Sequence, residues 1–523
     1  MKKTLRSVLS GFLACALAMG LAAVAAAAPP ACVYYSEYGA VGDGETDDFD
    51  AIIAAHAFAN EWGLPVFADP GATYYIGDSN KTAVIQTDTD WGDATFLLDD
   101  DAVTNNNLGH VFAVTSALAP VPLTGVRTLK KNQAKLDISL AYGAYVKAVD
   151  DTATRYIRYV PDRQDSYRGE PQSDAFLVDR DGNVSPGTPI IWDFDNITSL
   201  TAYPMDPVTL TVRGGHFTTV VNQGAMPYST RNILVERSNV VIDGVTHALE
   251  REATSTAVYF NGFIEIEDCA DVTVQNATVV GHKPIDGYDG YEFMIQNSLN
   301  VTIKNCVQSN DICDSTLRGI TGTNQCKNLV FDGVELNRVD SHKFVTGLTV
   351  KNSAIGWHGI TVTGQGALLV ENTTVRSDYK MITLRDDYGA TWDGEIVIRN
   401  CVFVPGNGAK SDAVLFHGVP ARSHDYGYPI GLPARITIDG LIIDDSNHSF
   451  FYIGPQIFGP FLPLYLDQYV LADLFTCPKR PFAVPEEIAI RGLEVKSGRP
   501  LLLSFNVFMF RKHLFPTTRI TAF

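Results

Sequence analysis

Asn328-Leu329-Val330-Phe331-Asp332-Gly333-Val334, Gly347-Leu348-Thr349-Val350-Lys351-Asn352-Ser353 and Ala367-Leu368-Leu369-Val370-Glu371-Asn372-Thr373 are three versions of one phrase. Each alternates apolar and polar residues and then turns at Gly or Asn. Strict alternation marks a β-strand with one buried face. Gly and Asn tolerate the left-handed backbone of a sharp turn. The phrase recurs at Ile242-Asp243-Gly244, Val274-Gln275-Asn276, Ile303-Lys304-Asn305, Ile398-Arg399-Asn400, Ile438-Asp439-Gly440 and Ile490-Arg491-Gly492. Turn residues at 244, 276, 305, 333, 352, 372 and 400 are spaced by 32, 29, 28, 19, 20 and 28. Such spacing signals a repeat architecture. The gaps mostly lack room for a helix beside the strand, so each repeat reads as one rung of a parallel β-helix, stacked at about 4.8 Å.

The flanks are read outward from this solenoid. Met1-Lys2-Lys3-Thr4-Leu5-Arg6 followed by an apolar run to Ala28 describes a secretory signal peptide over 1–28, cleaved near Ala26 to Ala28. The mature protein is then expected to be secreted, with no membrane association once the signal is removed. The net charge of −19 becomes −22 without the three basic residues of that leader. So acidic a chain is a poor partner for nucleic acid. Cys306 and Cys401 each follow a repeat asparagine, which points to small core slots; Cys313 and Cys326 could bridge one long loop. No cysteine or histidine group has zinc-site spacing.

The segment Tyr38-Gly39-Ala40-Val41-Gly42-Asp43-Gly44-Glu45-Thr46-Asp47-Asp48 is a glycine-rich turn. It leads into a helix expected over Asp47 to Asn60, with Thr46 as candidate N-cap. This helix would cover the exposed end of the solenoid. Capping explains Asp43, Asp47 and Asp48 better than a metal site does. Together with Pro70-Gly71-Ala72-Thr73-Tyr74, the segment resembles the opening motif of the pectate-lyase superfamily. The resemblance implies a right-handed parallel β-helix, often secreted and often active on polysaccharides. The fold expectation is therefore an all-β chain, a right-handed parallel β-helix solenoid with an N-terminal capping helix and a β-rich insertion. Its organisation is expected as 1–28 signal, 29–104 cap and first coils, 105–205 insertion, 206–500 β-helix, and 501–523 an unassigned tail. Within the insertion, Ala144 to Val149 and Thr154 to Val160 look like antiparallel strands, and Asp179 to Asn183 like a hairpin turn.

A β-helix binds extended chains along a strand face, so the search for chemistry is a search for polar residues stacked in register. Arg338-Val339-Asp340-Ser341-His342 packs three titratable groups into five residues. Aligning Phe344, Ile360 and Ile382 places His342, His358 and Lys380 in one column; a slip of one residue substitutes Tyr379 for Lys380. Asp340 is the leading carboxylate, with His342 and His358 orienting it or the sugar. Paired with Arg338, Asp340 could instead be structural. Arg385-Asp386-Asp387 is a second cluster and Asp314 a third candidate. Glycoside hydrolysis needs two carboxyl groups, and an Asp from each of two nearby rungs would supply them. Arg338, Lys380, Arg385 and Tyr379 are the candidate substrate-binding residues.

The chain departs from the polygalacturonase pattern, since Asn-Thr-Asp, Gly-His-Gly and Arg-Ile-Lys triplets are absent at suitable rungs. No Gly-x-Ser-x-Gly elbow and no clear calcium cage is present. The expectation is a hydrolase acting on a polysaccharide, without cofactor. The first alternative is a polysaccharide lyase, which could use Ca2+ and would have Arg385 or Lys380 neutralise a uronate. The second is a non-catalytic glycan-binding or surface β-helix.

Overall fold

The computed structural model describes residues 31–77, 80–101, 109–159, 169–221, 231–250, 261–283, 290–406, 412–418, 424–449, 452–459, 482–504 and 517–522. The expected signal peptide lies outside the described residues, as does most of the loop over 450–485.

The repeat phrases form a continuous parallel sheet in the register their spacing implies. Ile242 pairs with Val274, Val274 with Ile303, Ile303 with Phe331, Phe331 with Val350, Val350 with Val370, and Val370 with Ile398. These side chains are buried in one column, and their polar neighbours face outward. The turn residues Asn276, Asn305, Asn352, Asn372 and Asn400 all have φ between 49° and 55°. That is the left-handed region Asn tolerates. Their amides link rungs: Asn372 Nδ2 donates to Asn352 Oδ1 at 3.2 Å, and Asn352 Nδ2 to Asp332 Oδ1 at 2.8 Å.

A regular rung has three strands. In one rung they are Val240–Asp243, Thr246–Leu249 and Asn261–Glu267; in the next, Ala270–Gln275, Thr278–Val279 and Tyr291–Gln296. The third face continues through Thr321–Asn324, the middle of Glu335–Lys351, Ile360 to Val362, Lys380–Leu384 and Val414–His417. A second left-handed row closes it, at Asp268, Asn297, Gln325 and Phe344.

The capping helix spans Phe49–Trp62 and buries Phe49, Ile52, Ala55, His56 and Ala59. Thr46 is not its N-cap. It lies in the short strand Asp43–Asp47, and its backbone and hydroxyl donate to Asp43. Asp48 takes the N-cap position, but its carboxylate accepts from the Val41 and Gly42 backbone and so fastens the glycine turn.

Four strands, Val121–Pro122, Ala144–Arg155, Glu170–Val178 and Ser199–Pro204, make a separate antiparallel sheet. Ala144–Arg155 is one strand where the sequence reading placed the start of two. The side sheet packs along the second turn row through polar clasps. Lys147 holds both oxygens of Asp268 at 2.7 and 2.8 Å, and the Tyr145 hydroxyl donates to the Asn297 carbonyl. Ser173 meets Gln325, Lys343 meets Glu170, and buried Lys327 meets Asp174. Beyond them a second apolar cluster joins Tyr156, Trp192, Phe344, Tyr388, Tyr426 and Tyr428. The possible Cys313–Cys326 bridge is not formed: both are free, while Cys306 and Cys401 fill buried slots. Among the described residues no helix is long and apolar enough to cross a membrane.

Candidate functional site on the third face of the solenoid

The histidine column does not form. Val339 pairs with Ile360 and Ser341 with Val362, so His342 and His358 are not in register. The cause is Phe344, whose φ of 47° puts it in the turn row rather than in a strand, with its ring against Tyr156, Trp192 and Tyr428. Anchoring the alignment on Phe344 therefore shifts the row. Ile360 does pair with Ile382.

Asp340 faces outward, opposite to Val339 and Ser341, yet it is 1% exposed. Its two oxygens are held by Arg338 at 3.1 Å and Arg385 at 3.3 Å. Arg385 also bonds Asp387, which in turn accepts from Arg158 at 2.7 Å. The result is a chain of alternating charge, buried at Asp340 and partly exposed at Arg385, Asp387 and Arg158. Burial would lift the Asp387 carboxyl, but Arg385 and Arg158 hold it below its ordinary value. Arg385 is the reverse case: burial opposes its charge, and Asp340 and Asp387 more than restore it.

The remaining sequence candidates are dispersed. His342 is pushed down to about 2 by burial and by Arg385. His358 is lowered by burial, and its Nε2 donates to the Leu317 carbonyl at 2.7 Å. Lys380 pairs with Asp378 at 3.4 Å and lies over the Tyr379 ring. Asp314 accepts from the Thr316 backbone and hydroxyl, which lower it as in an ordinary turn. Asp386 is exposed at the start of the short turn Asp386–Tyr388.

A different set comes together on the same face, several rungs earlier. Leu234 pairs with Glu265, Glu265 with Met294, Glu267 with Gln296, and Gln296 with Asn324. His342 Nδ1 donates to Asn324 Oδ1 at 3.1 Å, Asn324 Nδ2 to Gln296 Oε1 at 3.3 Å, and Gln296 Nε2 to Glu265 Oε1 at 3.1 Å. From the other side His110 Nδ1 donates to Asn232 Oδ1 at 2.6 Å, and Asn232 Nδ2 to Glu265 Oε2 at 3.1 Å. The network itself sets these amide and imidazole orientations. Two donor chains thus converge on one carboxylate, which favours its ionised form.

Glu265 is buried, and that burial raises its pKa against the pull of Asn232, His110 and Gln296. Glu267, two residues on and on the same face, is half-buried. Burial, then Asp268 and Glu265, push its carboxyl up to about 7. Such adjoining acids titrate as a pair. Hydrogen bonds from Asn232 and Gln296 and the nearby His110 pull the Glu265 carboxyl down against its burial, whereas the charges of Asp268 and Glu265 add to burial in raising Glu267 and only Lys147 opposes them. Alternate residues of a strand point to one face, so the two carboxyl groups stand on the same side of the sheet, and glycoside hydrolysis uses two such groups. The Glu265–Glu267 pair was missed in the sequence because Ile264-Glu265-Ile266-Glu267 is ordinary strand alternation. A signal existed: Glu267, Gln296 and Asn324 each precede a turn residue of the second row.

Solved structures with this architecture share little sequence with the chain. The tailspike gp61 of Pseudomonas phage phi297 matches with a TM-score of 0.56 at 14% identity, covering 91% of this chain and 82% of the tailspike. Tailspike gp49 of Pseudomonas phage LKA1 matches at 0.53 and 13%, covering 90% and 82%. The fold is a right-handed parallel β-helix, the architecture of these tailspikes. The Gp54 tailspike of Acinetobacter baumannii bacteriophage AP22, solved in complex with a capsular saccharide of that bacterium, matches at 0.53 and 10%, covering 94% and 79%. No family model and no curated protein matches the chain. Among the described residues of this β-helix, no group of three or more His, Cys, Asp or Glu is arranged to hold a metal ion.

Proposed function

We propose that this exported β-helix protein hydrolyses glycosidic bonds of a polysaccharide laid across the third face, with Glu267 as general acid and Glu265 as general base. The observation that carries the reading is the asymmetry of the pair. Donor chains from Asn232 and Gln296 converge on Glu265, while the neighbouring Glu267 keeps its proton to about 7. Two carboxyls with opposed environments are the usual division between base and acid. In the reaction Glu267 gives its proton to the departing glycosidic oxygen. Glu265 takes a proton from the water that attacks the anomeric carbon. The polysaccharide ligand also fits the AP22 tailspike, whose structure holds a capsular saccharide.

This places the chemistry away from Asp340. A lyase needs a cation over the uronate, and Arg338 and Arg385 are each already paired with Asp340.

The test is reducing-end release by the purified protein on a polysaccharide panel, with ultraviolet absorbance of an unsaturated uronate followed in parallel. Glu267→Gln is expected to lose about 10²–10⁴-fold in turnover while keeping its fold. The acid form of Glu267 is present below about 7 and lost above it, so wild-type activity should fall as pH rises through that value. Unsaturated product, or a Glu267→Gln variant with normal turnover, would return the search to Asp386 and Asp387.

A further inference from the structure

We infer that the glycan accepted on this face is uncharged, a polymer without uronate or other acidic sugars. The inference rests on the hydrolase reading of Glu265 and Glu267 and names its substrate class. Pairing of Val235 with Ile266 puts exposed Glu236 beside Glu267 in the same outward column, about one rung spacing away. Glu236, Glu265, Glu267 and Asp268 therefore gather on two neighbouring rungs.

Among the described residues, four cations that border the face are committed elsewhere. Lys147 holds Asp268, Lys343 holds Glu170, Lys327 holds Asp174, and Arg338 holds Asp340. His342 stays neutral because burial and Arg385 depress it. The chain as a whole carries a net charge of −19. Among the described residues, none of these four cations is open to answer an anionic sugar, which would enter a negative field. Half-buried Gln296 and Asn324, on successive rungs, offer instead the neutral amides that suit sugar hydroxyls. The Coulomb penalty for one sugar carboxylate about 5 Å from Glu236 runs from roughly fourfold in affinity in bulk water to a few hundredfold at the effective dielectric of a protein surface; for exposed Glu236 in salt, about tenfold is the expectation.

The experiment uses the whole protein carrying Glu267→Gln, so that binding is read without turnover. Its probes are a panel of neutral polysaccharides, and uronate polymers before and after chemical reduction of their carboxylates to neutral alcohols. Neutral or reduced polymers are expected to bind about tenfold more tightly than the native uronates. Added salt should narrow the gap by screening. Glu236→Lys in the same background should raise uronate affinity by a similar factor. Tighter binding of native uronates than of their reduced forms overturns the inference, as does a Glu236→Lys variant with unchanged preference. Failure of the hydrolase reading looks different: there Glu267→Gln leaves turnover intact, whatever polymer is preferred.

Discussion

Two carboxylates on the third face, Asp340 and Glu267, have opposite surroundings. Asp340 is sealed and held by two guanidinium groups. Glu267 is half-buried among other carboxylates, and burial, Asp268 and Glu265 push its carboxyl up to about 7. Removing one partner from a buried charge network leaves the others uncompensated, at a cost of about 3–5 kcal/mol. Asp340→Ala is therefore expected to lose stability of that order in denaturant unfolding, with turnover per folded molecule preserved. A loss below about 1 kcal/mol, the value of an exposed pair, would mean the network is open to solvent. Residue-scale reading of the sequence was uneven for a physical reason. Asn276, Asn305, Asn352 and Asn372 announced their turns because left-handed backbone selects Asn and Gly locally. Glu265 draws its meaning from Asn232 and Gln296, each about thirty residues away in sequence, which no local pattern displays. The histidine column failed at Phe344, an aromatic residue in a turn position that Asn, Asp and Gln hold on the neighbouring rungs.

At the scale of elements, the side sheet touches the candidate acid's neighbour through a lysine. Lys147, on the strand Ala144–Arg155, neutralises Asp268, the neighbour of Glu267. Asp268 raises the Glu267 carboxyl and Lys147 lowers it. Lys147→Met should then expose the Asp268 charge and move the alkaline limb of activity upward by roughly half to one pH unit. Asp268→Asn should move it downward by a similar amount. The sign follows from the acid form: a higher Glu267 pKa keeps the proton donor present to higher pH. A pH–rate profile fixed in both variants would show that the side sheet does not tune the acid. The capping helix was legible from its glycine turn and helical spacing, displaced by two residues because Asp48 and not Thr46 sits at its start. The pairing of the side sheet was beyond the sequence, since antiparallel register depends on partners distant along the chain.

On the scale of the whole molecule, a solenoid is held by contacts between adjacent rungs, so its stability is a sum of local interfaces. The phrase repeat made this architecture readable, because each rung repeats the same burial problem. The ends are the exception, since an end rung exposes both core and backbone. Ile52 and Ala55 of the helix Phe49–Trp62 close the first end over Tyr35, Tyr74 and Trp91, all fully buried. Trp91 Nε1 donates to the Tyr35 hydroxyl, which donates to Nε2 of a His56 kept neutral by burial. Ile52→Asp would place an unpaired carboxylate in that apolar contact, a change among those that cost several kcal/mol. In a one-dimensional array the damage stays near the end. Hydrogen exchange of this variant should show the strands Val66–Phe67 and Thr73–Ile76 losing protection first. The rungs from Lys327 to Glu371 should keep wild-type protection under the same conditions. Uniform loss along the chain would mean that the molecule unfolds as one cooperative unit, and that the helix is a keystone rather than a lid.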